Sequence, residues 1–172
     1  FRWKPELLAE IRLVPDNIFT LRGPRQVGKT TLLKLVIKDL LDRGINEKAI
    51  FFWNCDELVD FRELSSVLRE YLEFSEINSI KEKYIFLDEV SRIKDWQRSI
   101  KSLKDSGELD QCCLMLTGSH TMDIKHGADL MPGRIGKLGR DLTLLPLTFS
   151  EYAKLIKPEI VKKVKKIERL SL

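Results

Sequence analysis

The stretch Gly23-Pro24-Arg25-Gln26-Val27-Gly28-Lys29-Thr30-Thr31 decides how this chain folds. It follows G-x-x-x-x-G-K-[ST], the pattern of a loop that wraps phosphate. Before it, Asn17-Ile18-Phe19-Thr20-Leu21 predicts a short buried strand. After it, Leu32, Leu33, Val36, Ile37, Leu40 and Leu41 recur at helical spacing until Gly44 stops the run. Strand, glycine-bearing turn and helix, in that order, aim backbone N–H groups and the positive end of the helix dipole at one point, where phosphate oxygens belong. All nine residues are therefore expected to line a nucleotide. Lys29 supplies a point charge at the β- and γ-phosphates, and the Thr30 hydroxyl a ligand for Mg²⁺.

A second pattern supports the first. Tyr84-Ile85-Phe86-Leu87 reads as a third strand that runs into Asp88-Glu89, with Asp88 58 residues beyond Thr30. At the C-terminal end of a strand beside the P-loop strand, Asp88 can hold the Mg²⁺ shell, and Glu89 can orient and deprotonate the attacking water. A fourth strand, Cys112 to Thr117, leads into Gly118-Ser119-His120. A small hydroxyl residue there, Thr117 or Ser119, can hydrogen-bond the water or the γ-phosphate. His120 and His126 have no companions at ligand spacing and read as loop residues.

The rest of the chain fills in around these motifs. Pro5 to Val14 predicts a helix with Leu7, Leu8 and Ile11 on one side, near the nucleotide; Trp3 either packs there or touches adenine. Ala49 to Asn54 predicts a second strand, followed by an acidic helix with Phe61, Leu64, Leu68 and Leu72 on its apolar face. A helix over 94–104 buries Trp96, Ile100 and Leu103. Its other side carries Lys94, Arg98, Lys101 and Lys104, read as a solvated face with a nucleic-acid contact as the alternative. Residues 121–141 form an irregular loop near the site, Leu142 to Leu145 a fifth strand, and Phe149 to Ile156 a helix entered through Ser150. Strands alternating with helices imply an α/β fold with a doubly wound, mostly parallel five-stranded sheet. Nucleotide binds at the C-terminal ends of its strands.

Composition narrows the class. At 172 residues and 43% hydrophobic, the chain suits one domain with a substantial core, here 1–156. Residues 157–172 carry six basic and two acidic side chains and hold the whole net charge of +4, leaving the rest balanced at 24 of each sign. With Ile160, Val161, Val164, Ile167 and Leu170 on one side, they predict a basic amphipathic helix that starts a further domain. A first residue of Phe1 also suggests a piece of a longer protein. There is no apolar run of transmembrane length and no signal-peptide pattern. Cys55, Cys112 and Cys113 sit in apolar runs without metal-ligand spacing, which suits reduced thiols in a cytoplasmic setting.

With these motifs in place, the chain resembles a prokaryotic family of AAA-type P-loop ATPases over nearly its whole length, to about residue 156. The resemblance rests on Gly-Pro-Arg-Gln-Val-Gly-Lys-Thr-Thr-Leu at 23–32 and Tyr-Ile-Phe-Leu-Asp-Glu-Val at 84–90 followed by Trp96. It also rests on Leu-Thr-Gly-Ser at 116–119, and on Pro-Gly-Arg at 132–134 leading into Leu-Pro-Leu-Thr-Phe-Ser-Glu-Tyr at 145–152. It implies ATP/ADP and Mg²⁺ as ligands, phosphate and metal binding by Lys29 and Thr30, and metal binding and hydrolysis by Asp88 and Glu89. It further implies γ-phosphate sensing by Ser119 or Thr117, and transition-state stabilisation by Arg134, with Arg140 as runner-up, offered to a neighbouring subunit of a homo-oligomer. Ser91 stands where relatives often carry an amide. In many members a winged-helix segment and an endonuclease-like domain follow.

The leading expectation is thus an ATPase whose turnover moves an effector domain. Its rivals are an ATP-loaded switch or scaffold that hydrolyses slowly and a DNA-associated motor using the basic helices. No Asn-Lys-x-Asp guanine-reading motif follows the P-loop, which disfavours a GTPase. The aptness of Glu89 for water activation disfavours a small-molecule kinase.

Overall fold

Five strands build the sheet: β1 (Ile18–Arg22), β2 (Ile50–Asn54), β3 (Lys83–Asp88), β4 (Cys112–Gly118) and β5 (Asp141–Thr143). Their order is β2-β3-β4-β1-β5, and each neighbouring pair is parallel. The helices are α1 (Leu7–Glu10), α2 (Lys29–Asp42), α3 (Phe61–Ile77), α4 (Trp96–Asp105) and α5 (Phe149–Ile156). This is a computed structural model, and it describes residues 5–119 and 136–156.

Alternation along the strands explains the two layers. Ile85 and Leu87 of β3, with Leu114 and Leu116 of β4, join Leu64, Leu68 and Ile100 of α3 and α4 on one face. Tyr84, Phe86, Cys113 and Met115 point the other way, onto Leu32, Leu33, Val36 and Leu40 of α2. A parallel sheet covered on both faces needs central strands that are apolar at nearly every position, as β3 and β4 are. The doubly wound parallel sheet matches the expectation from sequence.

One expected neighbour relation is wrong. β3 does not lie beside β1, because β4 stands between them and pairs with both. The chain leaves β1 for the far edge at β2 and fills inward through β3 and β4, while β5 pairs on the other side of β1. That reversal of direction at β1 makes its C-terminal end the switch point of the sheet.

Element ends differ in detail. The first helix shrinks to α1, and Ile11 is already extended. The chain turns inward there to bury Leu13 in the α2 layer, where Leu7, Leu8 and Ile11 pack half-buried. β5 begins at Asp141, and Leu144 continues it by donating to the Arg22 carbonyl at 2.8 Å. The cap of α5 is Thr148, not Ser150. Its hydroxyl accepts from Glu151 N–H at 3.3 Å while its own N–H donates to the Glu151 carboxylate at 2.7 Å, a reciprocal capping box. Asp60 caps α3 by accepting from the N–H groups of Arg62 and Glu63.

Asn17, buried at the head of β1, secures the chain's return to β5. Its amide oxygen accepts from Leu138 and Gly139 N–H at 2.8 and 3.0 Å. Cys55, Cys112 and Cys113 are buried and unbridged. No helix among the described residues is long and apolar enough to cross a membrane. Trp3, His120, His126, Arg134 and the segment 157–172 lie outside the described residues.

Candidate nucleotide site

The turn after β1 needs two backbone concessions. Gly28 adopts φ 104° and its carbonyl accepts from Leu32 N–H at 2.9 Å, which starts α2. Gly23 is pressed against the chain beyond β5: a Cβ there would stand 2.4 Å from the Leu144 carbonyl oxygen. Gln26 is also left-handed, at φ 61°, so the loop folds into a concave run of backbone suited to anions. Gly23 is buried, Val27 and Thr31 are half-buried, and Pro24, Arg25 and Gln26 form the exposed apex.

Lys29 opens α2 with only 3% of its side chain exposed. Its ammonium donates to the carbonyls of Gly23 and Pro24, each at 3.1 Å, and to the Ser119 hydroxyl at 3.0 Å. Glu89 Oε1 pairs with it at 3.2 Å. A buried ammonium needs such a shell, since the desolvation cost of an unpaired charge is several kcal/mol.

Asp88 closes β3 and is held through both oxygens. Thr30 donates to Oδ2 and Thr117 to Oδ1, each at 2.5 Å. Thr117 also accepts from Glu89 N–H at 2.9 Å. That bond spans β3 and β4 and helps hold Glu89 at φ 56°, a left-handed conformation that costs a non-glycine residue about 1–2 kcal/mol. The Glu89 carboxylate takes the Ser119 hydroxyl at 2.7 Å and the Ser119 N–H at 3.0 Å. Two carboxylates, an ammonium and three hydroxyls are therefore gathered at the C-terminal ends of β1, β3 and β4.

The two expected sensor residues separate here. Thr117 is fully buried, and its hydroxyl both donates and accepts within the protein. Ser119 is half-buried and reaches Lys29 and Glu89. Arg140 precedes β5, at the opposite end of that strand from the P-loop, and its carbonyl accepts from Thr20 N–H at 3.0 Å. The charge of Asp88 is felt nearby. Burial above all, then Asp88 and Asp56, pushes the Cys55 thiol up to about 12.

The metal implied by these motifs fits the donors present. Thr30 and Asp88 offer adjacent hard oxygen ligands. Among the described residues no three His, Cys, Asp or Glu side chains gather as a cage. Mg²⁺ typically takes one or two carboxylates and completes its shell with water and substrate phosphates.

Between the start of α1, the chain after β5 and α5 lies a cavity of about 540 Å³, lined in part by Pro5, Leu7, Leu144, Pro146, Lys154 and Leu155 and by no residue of the P-loop. Two features escaped the sequence reading: the left-handed Glu89 and the Thr117 bridge beneath it. Thr117 carried a signal, as the hydroxyl residue closing a wholly apolar strand.

Among solved structures the chain is similar to the Aeropyrum pernix ORC2 protein, solved as ADPNP-ADP complexes, at 14% identity and TM-score 0.61, over 83% of this chain and 45% of that one. It is similar to Cdc6p from Pyrobaculum aerophilum at 15% identity and TM-score 0.60, over 85% and 43%. It also resembles the Aeropyrum pernix ORC1 protein in complex with DNA, at 12% and TM-score 0.59, over 85% and 44%. The chain thus spans less than half the length of each, and at these identities the likeness is one of fold. No curated protein matches it. The AAA domain family matches residues 15–153 of this chain, the span that carries the parallel sheet in the order β2-β3-β4-β1-β5 with the glycine-bearing turn after β1 and the acids at the end of β3: it belongs to the AAA domain proteins.

Proposed function

We propose that this AAA domain binds Mg²⁺·ATP on the P-loop and hydrolyses it, and that turnover changes the conformation of an effector carried elsewhere in the protein. The observation that carries the reading is the convergence of two hydrogen-bonded sets, Lys29 with Ser119 and Glu89, and Thr30 with Asp88, which Thr117 joins by bonding both Asp88 and the Glu89 N–H. Loop N–H groups and Lys29 bind the phosphates. Ser119 orients the Glu89 carboxylate, and Glu89 takes a proton from the water that attacks the γ-phosphorus, with ADP as leaving group. Thr30 and Asp88 would hold Mg²⁺, which neutralises charge on the phosphate oxygens.

Two rival readings lose ground. Of the basic side chains on and beside α4, Arg98 stacks on Phe61 at 4.5 Å and pairs with Asp95, and Lys104 pairs with Asp16 at 3.0 Å. Arg98 and Lys104 would have to give up those partners to contact DNA, which leaves Lys94 and Lys101 as the cations of this face without a side-chain partner among the described residues. A switch that merely holds ATP has no use for a carboxylate oriented by three bonds.

Calorimetry and turnover test the proposal together. Lys29→Ala, if folded, should lose Mg²⁺·ATP affinity; unchanged affinity would sink the site. Glu89→Gln should bind ATP normally and hydrolyse it at least about a hundredfold more slowly. Turnover at the wild-type rate in Glu89→Gln would assign the base elsewhere.

A further inference from the structure

The apex of the P-loop carries a cation, Arg25, expected to line the nucleotide but not yet given a particular contact there. Arg25 follows Pro24, whose carbonyl accepts from the Lys29 ammonium at 3.1 Å. A carbonyl oxygen lies about 2.8 Å from the next α-carbon, so the Arg25 α-carbon stands within about 6 Å of the ammonium that would meet the β- and γ-phosphates. An extended arginine carries its guanidinium about 6 Å from its own α-carbon. Its guanidinium can therefore reach the neighbourhood of the Lys29 ammonium.

Arg25 is also uncommitted. Arg22, Arg43, Arg69, Arg92 and Arg98 each pair with a carboxylate. Arg25 is exposed and has no hydrogen-bond, ion-pair or ring partner among the described residues. The backbone below it is stiff: Pro24 has a fixed φ, Gln26 sits at φ 61° and Gly28 at φ 104°. A cation on a stiff loop gives up less freedom when a ligand orders it.

We infer that Arg25 is a γ-phosphate ligand supplied by the P-loop itself, acting within one chain. The inference rests on the proposed ATPase site and adds a residue to it. Lys29 is a compact charge already shared among four oxygens, whereas a guanidinium offers a planar fork that grips two phosphate oxygens at once. In the loose transition state of phosphoryl transfer, charge spreads over the three equatorial oxygens of the γ-phosphoryl group, and a fork placed there stabilises it. Attack of water on phosphorus and departure of ADP are unchanged in stoichiometry. Arg25 donates hydrogen bonds and transfers no proton.

The experiment uses the 172-residue chain with Arg25→Gln, Arg25→Lys and Lys29→Ala. Dissociation constants for ADP and for Mg²⁺·ATP are measured on the Glu89→Gln background, so that hydrolysis does not intrude, and turnover is followed in the chain with Glu89 intact. Arg25→Gln should leave ADP affinity within about twofold, weaken Mg²⁺·ATP about tenfold and slow turnover about a hundredfold. Arg25→Lys should regain part of the ATP affinity and little of the rate. The fold-loss caused by Arg25→Gln should be the same at every protein concentration, since the group is in the same chain. Equal weakening of ADP and ATP would move Arg25 to the inner phosphates or the base and overturn the inference. Unchanged ATP affinity and turnover in Arg25→Gln would do the same, leaving a solvated side chain. Nucleotide affinity that survives Lys29→Ala would instead overturn the site as a whole.

Discussion

Thr117 holds the two acids of the site in register with its one hydroxyl, which donates to Asp88 and accepts from Glu89 N–H. Neither bond has water as a substitute, because the residue is fully buried. Thr117→Val keeps the shape and removes both bonds. Leaving a buried donor and a carboxylate oxygen unsatisfied should cost about 1–3 kcal/mol in urea denaturation. The same variant should lose part of the Mg²⁺-dependent gain in ATP affinity, because Asp88 then has one hydroxyl partner instead of two. Thr117→Ser should restore both properties. A Val variant as stable as wild type, with its Mg²⁺ response intact, would show that the bridge contributes nothing. Thr117 thus acts through Asp88 and Glu89 as a positioning residue, which leaves Ser119, bonded to Lys29, as the hydroxyl for the γ-phosphate side of the proposed mechanism.

At the scale of elements, short polar caps and one close contact set where helices and strands stop. Asp60→Ala removes the acceptor for two N–H groups of α3 and should destabilise the protein by about 1 kcal/mol, read as a lower urea midpoint with unchanged slope. Gly23→Ala should be far worse. Its Cβ would collide with backbone, at 2.4 Å from the Leu144 carbonyl oxygen, and backbone cannot swing aside as a side chain can. The variant must push the β5 connection off the P-loop, so nucleotide affinity should fall along with stability. Normal ATP binding in a fully stable Gly23→Ala protein would contradict the packing described here. The reciprocal bonds of Thr148 and Glu151 hold the Glu151 carboxyl below the usual carboxylate range, chiefly through the Thr148 hydroxyl. That contribution is present at neutral pH and is lost as pH falls through the lowered value.

For the molecule as a whole, the three thiols report on global unfolding. Burial is the largest cause raising each of them, with Cys112 pushed up to about 11 and Cys55 and Cys113 to about 12, from 9.0. A thiol-reactive dye should therefore label the folded protein slowly at pH 8 and label all three on addition of denaturant. The sign of the pH effect follows from proton counts. Above about pH 9 the unfolded chain releases these protons while the folded chain keeps them, so stability should fall as pH rises from 9 towards 12. Fast labelling of the native protein at pH 8 would mean that the layers on either side of the sheet open locally.

The sequence alone determined most of the elements and named the residues that the structure gathers at the site. Apolar runs at 18–21, 84–87 and 112–116 could only be buried strands, the spacing of Leu32 to Leu41 could only suit a helix, and Gly28-Lys29-Thr30 with Asp88-Glu89 named the residues to be gathered. These are local properties, written in periodicity and residue type. Tertiary structure decided which strands are neighbours. Nothing in the apolar pattern says that β4 separates β3 from β1, since β1, β3 and β4 are each buried almost throughout and fit any central slot. Because β4 took the middle place, its Thr117 became the bridge between the acids, and Glu89 could be held left-handed against it. The Ser150 cap gave way to Thr148 for a similar reason, since either hydroxyl suits a helix start and the path of the chain from β5 selects one. Contacts between residues 28 to 30 positions apart in sequence, such as Asp88 with Thr117 and Glu89 with Ser119, exist only once the sheet is assembled.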